Sequence, residues 1–328
     1  MRGSPPGTAP RHGHHQAPGT SGADRLAVVL SISGTLLLIE VVGAVVSGSL
    51  ALLADAGHML ADVGGLTLAL FAARLARRPA TMTLTWGFRR AEVLAAAAQA
   101  AVLLAVGLWI LSEAVRRLIE PVAVASTAMI AFGAAALAGN AISAVLLRHS
   151  APASMNTRAA LLEVSNDALG GLAVLIAAVV IAATGWHRAD PVASIMIGAL
   201  ILPRAWRLLR ETINVLLEAT PEGIDLTEVR SHLLSVDHVI EVHDLHANLV
   251  ATGLPVLSAH LTVEDGCFRD GHLPQLLDEV QGCLVGHFDV HHSTFQFEPA
   301  AHAEHEEPCS EAIPDPENGS LSAEPGAP

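Results

Sequence analysis

The chain has 328 residues, of which 52% are hydrophobic and only 15% charged, whereas a soluble globular protein carries about 25% charged residues. This composition excludes an ordinary soluble protein and predicts a membrane protein. The formal net charge of −14 comes largely from acidic residues after Glu211, and the polar part has no basic patch that would indicate a nucleic-acid partner.

The first 24 residues are rich in Pro, Gly and His, and they predict a disordered, His-containing cytoplasmic N-terminus over residues 1–24. Its histidines, His12, His14 and His15, are open to two interpretations. One is loose capture of metal ions, and the other is an unstructured end with no required role.

Residues 25–217 contain six apolar stretches near the length that a membrane-spanning helix requires, about 20 residues. They predict an all-α six-helix transmembrane bundle. The predicted spans are Leu26–Val46, Leu50–Leu75, Val93–Leu111, Val122–Leu147, Ala159–Ala183 and Pro191–Trp206.

Arginine alone carries the orientation signal, because the chain has no Lys and positive residues favour the cytoplasmic side. One side of the predicted bundle carries most of them, namely Arg2, Arg11, Arg25, Arg74, Arg77, Arg78, Arg89, Arg90, Arg148, Arg158, Arg204, Arg207 and Arg210. The other side carries only Arg116, Arg117 and Arg188. This distribution predicts a multi-pass protein of the cell (inner, cytoplasmic) membrane with both termini in the cytoplasm.

From Thr220 the pattern changes, and residues 218–299 predict a small cytoplasmic α+β domain in the order α-β-β-α-β. Asp225 with Glu228 indicates a capping box that opens the first helix. The predicted elements are a helix to about Val236, strands Val239–Val250 and Pro255–Glu264, a helix Leu273–Phe288, and a strand Ser293–Glu298. The acidic, Pro-rich residues 300–328 predict a disordered tail.

Ionisable residues inside two apolar spans are the main functional signal. The second span carries His58 and Asp62, and the fifth carries Glu163 and Asp167. Each pair is spaced i,i+4 and so shares one helix face. Because burying charge in a bilayer is costly, such residues indicate function. If the two faces meet, one nitrogen and three carboxylates suit a tetrahedral divalent ion.

Small residues, Gly64-Gly65 and Gly170-Gly171, follow the two acidic pairs and favour close approach of these helices. The alternative is that the charged groups extend to helix ends or pair with Arg. Asp55, one turn before His58, either accepts a hydrogen bond from a metal ligand or is a way-station for the ion. For Glu40, Gln99 and Asn140 the favoured interpretation is hydrogen bonding between helices.

These residues resemble those of the cation diffusion facilitator family, in its bacterial zinc-exporting branch. The similarity runs from about Arg25 to Pro299. Its segments are SGSLALLADAGHMLADVGGL (Ser47–Leu66), TWGFRRAEVLAA (Thr85–Ala96), NDALGG (Asn166–Gly171), DPVASIMIGALIL (Asp190–Leu202), VHDLHA (Val242–Ala247), LSAHLTVE (Leu257–Glu264) and HHSTFQFEP (His291–Pro299). The resemblance implies a homodimer with a metallochaperone-like cytoplasmic domain and exchange of metal for protons.

Two positions depart from the family pattern. Glu163 stands where the zinc-exporting branch usually has His, so a nitrogen ligand becomes a hard oxygen, which suits harder ions such as manganese. The resemblance still favours zinc, with cobalt, cadmium, iron or manganese as alternatives. The second departure is Ala247-Asn248, where an aromatic residue is common.

The resemblance also implies a regulatory metal site in the cytoplasmic domain, formed by His243, His260 and Glu298. Gln296 stands where some relatives use His. Surface or strand-pairing histidines without metal are the alternative. Weaker candidates in the domain are His246, His272, His291 and His292. In the tail, His302, His305 and Cys309 are open to the same two interpretations as the N-terminal histidines, loose metal capture or no required role.

The sequence thus predicts a carrier that exports a divalent cation in exchange for protons, since metal ligands must lose protons to bind. We expect no cofactor beyond the transported and regulatory metal, Zn²⁺ first. An enzyme is not expected, because the chain lacks the His-Glu-x-x-His motif of an intramembrane metalloprotease. A membrane metal sensor without transport is the alternative of another class.

Overall fold

The structure, a computed structural model, describes residues 20–149 and 155–303, with side chains at 31–145, 161–162 and 164–302. His12, His14, His15, His305 and Cys309 therefore lie outside the described residues. Two edges of the predicted disordered segments need correction. A helix already begins at Thr20, and residues Ala300–Ala303 form a helical turn. Pro299 initiates that turn, because its carbonyl accepts the His302 amide at 2.9 Å.

Six long helices make up the first part of the chain: α1 (Thr20–Ser47), α2 (Leu50–Ala76), α3 (Ala91–Ile119), α4 (Ser126–His149), α5 (Met155–Thr184) and α6 (Ala189–Leu216). Among the described residues, five of them are long and apolar enough to cross a membrane. The stretch of α1 with described side chains, Ser31–Ser47, is apolar but shorter. The all-α membrane region predicted from hydropathy is therefore present.

Several helix boundaries differ from the sequence prediction, and the largest difference is in helix α6, which runs past the predicted Trp206 to Leu216. Helix α3 runs past Leu111 to Ile119, because Glu113 accepts hydrogen bonds from Arg116 at 2.7 Å and Arg117 at 2.9 Å within the same helix. Helix α4 begins later than the predicted Val122. The residues just before it are not helical, and the Ala125 amide donates to the Ser47 carbonyl at 2.9 Å.

The membrane helices pack around small residues. A Cβ at Gly43 of α1 would lie 2.6 Å from Phe132 Cβ of α4, and a Cβ at Gly171 of α5 would lie 3.6 Å from the Leu137 amide of α4. This close approach is typical of membrane helices. The buried core between them contains Leu50, Leu52, Ile110, Met129, Val174, Ile181 and Ile197.

The C-terminal domain contains α7 (Leu226–Leu234), β1 (Val239–Ala251), β2 (Leu254–Val263), α8 (Cys267–Asp270), α9 (Leu273–Phe288), β3 (His292–Glu298) and α10 (Ala300–Ala303). The predicted order α-β-β-α-β is confirmed, with the short α8 and α10 added. Asp225 caps α7 as predicted, and its side chain accepts the Thr227 amide at 2.8 Å.

A three-stranded sheet in the order β1-β2-β3 forms the centre of this domain. Strands β1 and β2 are antiparallel, with His243 opposite His260, while β2 and β3 are parallel, with Thr262 opposite Glu298. The helices cover one face and bury Val229, Leu233, Leu257, Leu261, Leu276, Val280 and Leu284. The register places His243, His260 and Glu298 near one another on the sheet.

Candidate metal centre

Helix α2 holds His58 and Asp62 on one face, as their i,i+4 spacing requires. The His58 Nε2 atom lies 3.4 Å from Asp62 Oδ2. His58 is buried, whereas Asp62 is partly accessible, with 24% of its side chain exposed. The pair therefore presents two ligand atoms from one helix, and the Asp62 Oδ2 atom that faces His58 is itself buried.

Helix α5 brings a third ligand atom to the same place. Asp167 Oδ1 lies 3.7 Å from His58 Nε2, and the Asp167 side chain is buried. One ligand atom from each of His58, Asp62 and Asp167 lies within 4.8 Å of the others. The structure thus brings together three of the four residues that the sequence singled out.

The fourth, Glu163, lies on α5 one turn before Asp167, and its side chain is outside the described residues. Its i,i+4 spacing from Asp167 places both residues on one face of the helix. Its part in the centre therefore stays a prediction from the sequence.

The spacing of the three ligand atoms suits a small divalent ion. Ligand atoms held 2.0–2.2 Å from a tetrahedral ion lie about 3.3–3.6 Å apart, by simple geometry from ordinary zinc bond lengths. The distance from His58 Nε2 to Asp62 Oδ2 is 3.4 Å, and that to Asp167 Oδ1 is 3.7 Å. Little rearrangement would bring all three onto one ion.

Asp55 lies apart from this group of ligand atoms. It is 2% exposed, and its carboxylate lies against Gly170 of α5, where an added Cβ would overlap Asp55 Oδ1. Asp55 is three residues, roughly 4.5 Å along the helix axis, from His58. Asp55 therefore lies beside the three-residue centre, nearer to the start of α2.

The two glycine pairs behave differently from each other. Gly170 of α5 contacts α2, as predicted, whereas Gly171 contacts α4 instead. Gly64 of α2 has no other atom within 4 Å of where a Cβ would lie. The prediction that Gly64 lets α2 approach α5 is therefore wrong.

Among the described residues, Glu40 lacks the predicted hydrogen bonds and Asn140 leaves its amide donor unpaired. Glu40 of α1 is 0% exposed, and neither of its carboxylate oxygens has a hydrogen-bond partner there. Asn140 Nδ2 of α4 also has no partner in the described part of the chain. Gln99 is half-buried on α3. Glu40 therefore needs another explanation than interhelical hydrogen bonding.

One positioning residue that the sequence analysis missed is Asp190, at the start of α6. Asp190 is 0% exposed and accepts hydrogen bonds from Ser49 Oγ at 2.5 Å and from the amides of Leu50 at 2.8 Å and Ala51 at 3.1 Å. A carboxylate at this position satisfies the unpaired amides at the helix N-terminus. Asp190 thus fixes the start of the helix that carries His58 and Asp62.

The sequence contains ordinary capping residues here, but they do not show which helix the Asp190 carboxylate caps. Asp190 precedes Pro191 at a helix start, and Ser49 precedes α2, which are ordinary capping residues. Nothing in the sequence indicated that the Asp190 carboxylate would cap α2 rather than its own helix.

The cytoplasmic domain holds a second cluster with similar chemistry. His260 Nδ1 lies 2.9 Å from Glu298 Oε1, and His243 Nε2 lies 3.6 Å from Glu298 Oε2. One ligand atom from each of the three residues lies within 4.8 Å of the others. Glu298 is buried, whereas both histidines are partly exposed. The resemblance singled out these same three residues.

The remaining cytoplasmic candidates lie outside this three-residue cluster. Gln296 Nε2 donates to Glu298 Oε1 at 2.9 Å, so it orients that carboxylate. His246 pairs with Ser258 beyond an irregularity in β1. The His272 ring packs against His238, and the His292 ring against Trp86. His291 Nε2 lies 3.0 Å from Asp289 Oδ1.

Comparison with known proteins agrees with this arrangement. Residues 26–217 match the profile of the cation efflux transmembrane domain, and residues 221–300 match that of the cation efflux protein cytoplasmic domain. The match to both profiles spans the helices of the membrane centre and the sheet of the second cluster.

Three curated relatives cover most of the chain. The metal cation efflux system protein CzcD of Cupriavidus metallidurans is 39% identical over 92% of this chain and 92% of its own length. The zinc transporter ZitB of Escherichia coli is 39% identical over 88% of this chain and 91% of its own. A cadmium, cobalt and zinc/H⁺-K⁺ antiporter of Bacillus velezensis is 34% identical over 89% of this chain and 93% of its own.

A profile match over more than half of the chain, together with relatives of nearly the same length, shows the family. It is the family that the sequence motifs resemble. The chain is a multi-pass membrane protein that belongs to the cation efflux family.

Proposed function

We propose that this protein exports a divalent transition-metal cation from the cytoplasm in exchange for protons, with zinc as its first cargo. The observation that carries the proposal is the group of ligand atoms from His58, Asp62 and Asp167. These atoms lie on two helices long and apolar enough to cross a membrane, where ionisable residues mark ion pathways.

Zinc fits the chemistry of the centre, because one imidazole with carboxylates is a usual zinc ligand set. The ZitB relative is a zinc transporter, and the Bacillus relative is named for cadmium, cobalt and zinc. Glu163 adds a hard oxygen where the zinc-exporting branch has nitrogen, which moves preference toward harder ions. Cobalt, cadmium, iron and manganese are the alternatives: the Bacillus relative is named for cadmium and cobalt besides zinc, and the added oxygen ligand favours harder ions such as manganese.

Proton exchange follows from the same ligands. A metal ion binds only deprotonated carboxylates and neutral imidazole, so its binding releases protons and its release is favoured where protons are plentiful. The Bacillus relative is named as an antiporter that uses protons. The antiport proposal therefore rests on ligand chemistry and on a relative's activity.

The cytoplasmic cluster, His243, His260 and Glu298, is proposed to bind a regulatory metal ion. Its atoms have the spacing of a metal site, and the partly exposed histidines are accessible to cytoplasmic metal. We further propose that both termini lie in the cytoplasm, which the Arg distribution supports, and that the protein is a homodimer in the cell membrane, which the match to the family's cytoplasmic domain supports. Transport without a catalysed covalent reaction, and without any further cofactor, completes the proposal.

The second candidate is a metal sensor that binds ions without moving them. The cytoplasmic cluster favours it, because a sensor needs such a site on the side where metal is measured. Net metal movement separates the two functions.

The test measures zinc flux in sealed proteoliposomes with and without an imposed pH gradient. The proposal predicts zinc movement that is driven by protons flowing the other way and that follows the size of the gradient. Zinc flux that ignores the gradient would contradict antiport, and binding without any flux would favour the sensor.

A further inference from the structure

Glu40 is a buried acid that the metal centre does not use. It lies on α1, is 0% exposed, and neither carboxylate oxygen has a hydrogen-bond partner among the described residues. An ionised carboxylate in such surroundings carries a large free-energy cost. A neutral carboxylic acid avoids that cost, and it carries a proton.

The charged groups that act on Glu40 are both acids. They are Asp55 on α2 and Asp167 on α5, and the effect of Asp55 is the larger. Helix α4, which also packs against α1, faces it with Phe132 at Gly43 and Gly139 at Leu36, none of them charged. Ionised Glu40 would therefore meet repulsion and no compensating cation within the described part of the bundle.

The position of Glu40 connects it to the metal centre without making it a ligand. Asp55 lies roughly 4.5 Å along the α2 axis from His58, toward the start of that helix. Both Asp55 and Asp167 act electrostatically on Glu40, whereas Glu40 is not among the residues whose ligand atoms converge at the centre. Its charge is still close enough to sense the charge at Asp167.

We propose that Glu40 is a proton-binding residue of the transport cycle, separate from the residues that hold the metal ion. With the centre empty, Glu40 is a neutral acid. When a divalent cation enters beside Asp167, its two positive charges favour the Glu40 carboxylate, and one proton leaves to water. When the cation departs, the carboxylate takes a proton back.

This inference rests on the proposed antiport and adds one proton carrier to it. The step at Glu40 balances, because the neutral carboxyl group gives one carboxylate and one proton that goes to water. It also explains why the costly burial of an acid is tolerated there: the acid is neutral in one half of the cycle and is stabilised by the cation in the other half.

The experiment counts protons released when zinc binds to the purified full-length protein in detergent, by calorimetry in buffers of different ionisation enthalpy. Glu40→Gln mimics the neutral acid and is expected to bind the same number of zinc ions as the wild type. It should release about one proton fewer per zinc at the membrane centre. Glu211→Gln, at an exposed acid on α6, is the matched control and should release the wild-type number.

The same number of protons from Glu40→Gln and wild type would overturn the inference. Loss of zinc binding in a folded Glu40→Gln protein would also overturn it, because Glu40 would then be a ligand. Glu40→Asp retains an acid and should restore the missing proton, which a purely structural role for Glu40 would not require. If Glu40→Gln does not fold, Glu40→Asp decides, and absence of the proton there contradicts the inference.

The wild type distinguishes this inference from the proposed function. A wild-type protein that releases no protons on binding zinc would contradict the antiport proposal itself. A wild type that releases protons, with Glu40→Gln releasing as many, would contradict only the role of Glu40.

Discussion

Gly170 is the residue at which α5 makes room for a carboxylate of α2. A Cβ at this position would overlap Asp55 Oδ1, so Gly170→Ala must displace Asp55 or separate the two helices. Overpacking of this kind costs about 1–3 kcal/mol. We expect Gly170→Ala to unfold at a lower temperature and to bind zinc more weakly, as measured by thermal unfolding and zinc titration in detergent.

Gly198→Ala is the matched control for this change. Gly198 also lies in a membrane helix, and no other atom lies within 4 Å of the position of an added Cβ. Alanine there should be neutral or slightly stabilising, by at most about 1 kcal/mol from helix propensity. Equal behaviour of the two alanine variants would contradict the account of Gly170.

Glu163 is the residue expected to adjust metal preference. Glu163→His replaces a hard oxygen with imidazole, which favours zinc over manganese. We expect the ratio of zinc flux to manganese flux to rise in proteoliposomes, while Glu211→His, at an exposed position of α6, leaves the ratio unchanged. An unchanged ratio in Glu163→His would show that Glu163 does not set selectivity.

For single residues, the sequence predicts contacts between residues close along the chain well, and contacts between residues far apart along the chain poorly. The spacing of His58 and Asp62 follows from helix geometry alone, so their proximity needs no tertiary information. Asp190 and Leu50 are 140 positions apart, and only the packed bundle shows that one caps the other. Likewise the isolation of Glu40 depends on what three other helices place around it.

At the scale of elements, the start of α2 is held by α6. Asp190 accepts three hydrogen bonds there, from Ser49, Leu50 and Ala51. Asp190→Ala leaves these donors buried without an acceptor, which we expect to cost about 2–4 kcal/mol. Zinc affinity of the membrane centre should fall as well, because the helix that carries His58 and Asp62 loses its anchor.

Thermal unfolding and zinc titration of the purified protein check this expectation. Asp190→Asn retains one acceptor oxygen and should give an intermediate result. Asp225→Ala removes the cap of α7, which is a single hydrogen bond to the Thr227 amide, and should leave zinc binding in the membrane unaffected. Wild-type zinc affinity in a folded Asp190→Ala protein would contradict the positioning role.

The sheet of the cytoplasmic domain has a pH-dependent contact where β1 begins and β2 ends. Glu264 Oε2 lies 2.9 Å from His238 Nδ1, and this hydrogen bond, assisted by the nearby carboxylates, raises the pKa of His238 above its usual value. Its stabilising effect is therefore complete below the unfolded-state pKa, about 6.5. The effect disappears as the pH rises through the higher folded-state pKa.

We expect Glu264→Gln to lower the pKa of His238 toward that of a free histidine. Histidine-selective NMR titration of the full-length protein would measure this shift. Asp289→Asn, next to the other exposed pair at His291, is the control and should leave the His238 titration unchanged. A His238 pKa that is the same in Glu264→Gln as in the wild type would show that another group raises it.

The order of elements was predictable, whereas some helix ends were not. Hydropathy identified α3 but placed its end before the charged turn that contains Glu113, Arg116 and Arg117. The helix continues through this turn because these side chains pair with one another within it. The start of α4 was displaced because Ala125 bonds the end of α1. Both differences come from specific hydrogen bonds that hydropathy does not contain.

At the scale of the whole molecule, one end of the helical bundle carries few arginines. Their charge is tolerated there because their guanidinium groups find hydrogen-bond partners. Arg117 Nη1 donates to the Gly48 carbonyl, and Arg188 Nε donates to the Leu118 carbonyl, both at 2.8 Å. These bonds satisfy carbonyls at the ends of helices, which have no partner within the helix. The same few arginines that define the predicted orientation also complete the helix ends.

The chain contains two groups of ligands with related chemistry, each built from His and acid residues. In the membrane helices, His58 combines with Asp62 and Asp167, whereas in the cytoplasmic sheet His243 and His260 combine with Glu298. Within the first group only the pairing of His58 with Asp62 follows from spacing in one helix, and Asp167 comes from α5; the second group follows from strand register. The membrane set could be named from the sequence pattern and the cytoplasmic set from the family resemblance, but the closure of each set around one point is a tertiary property.

The central claim is that the acids of α2 and α5 hold the same ion, and zinc uptake by proteoliposomes under a fixed pH gradient tests it most directly. With Asp62→Ala and Asp167→Ala combined, uptake should fall to that of protein-free liposomes. The control is the double variant Asp265→Ala and Asp278→Ala, at exposed cytoplasmic acids, which should transport like the wild type. Wild-type zinc uptake by a folded Asp62→Ala, Asp167→Ala protein would contradict the account.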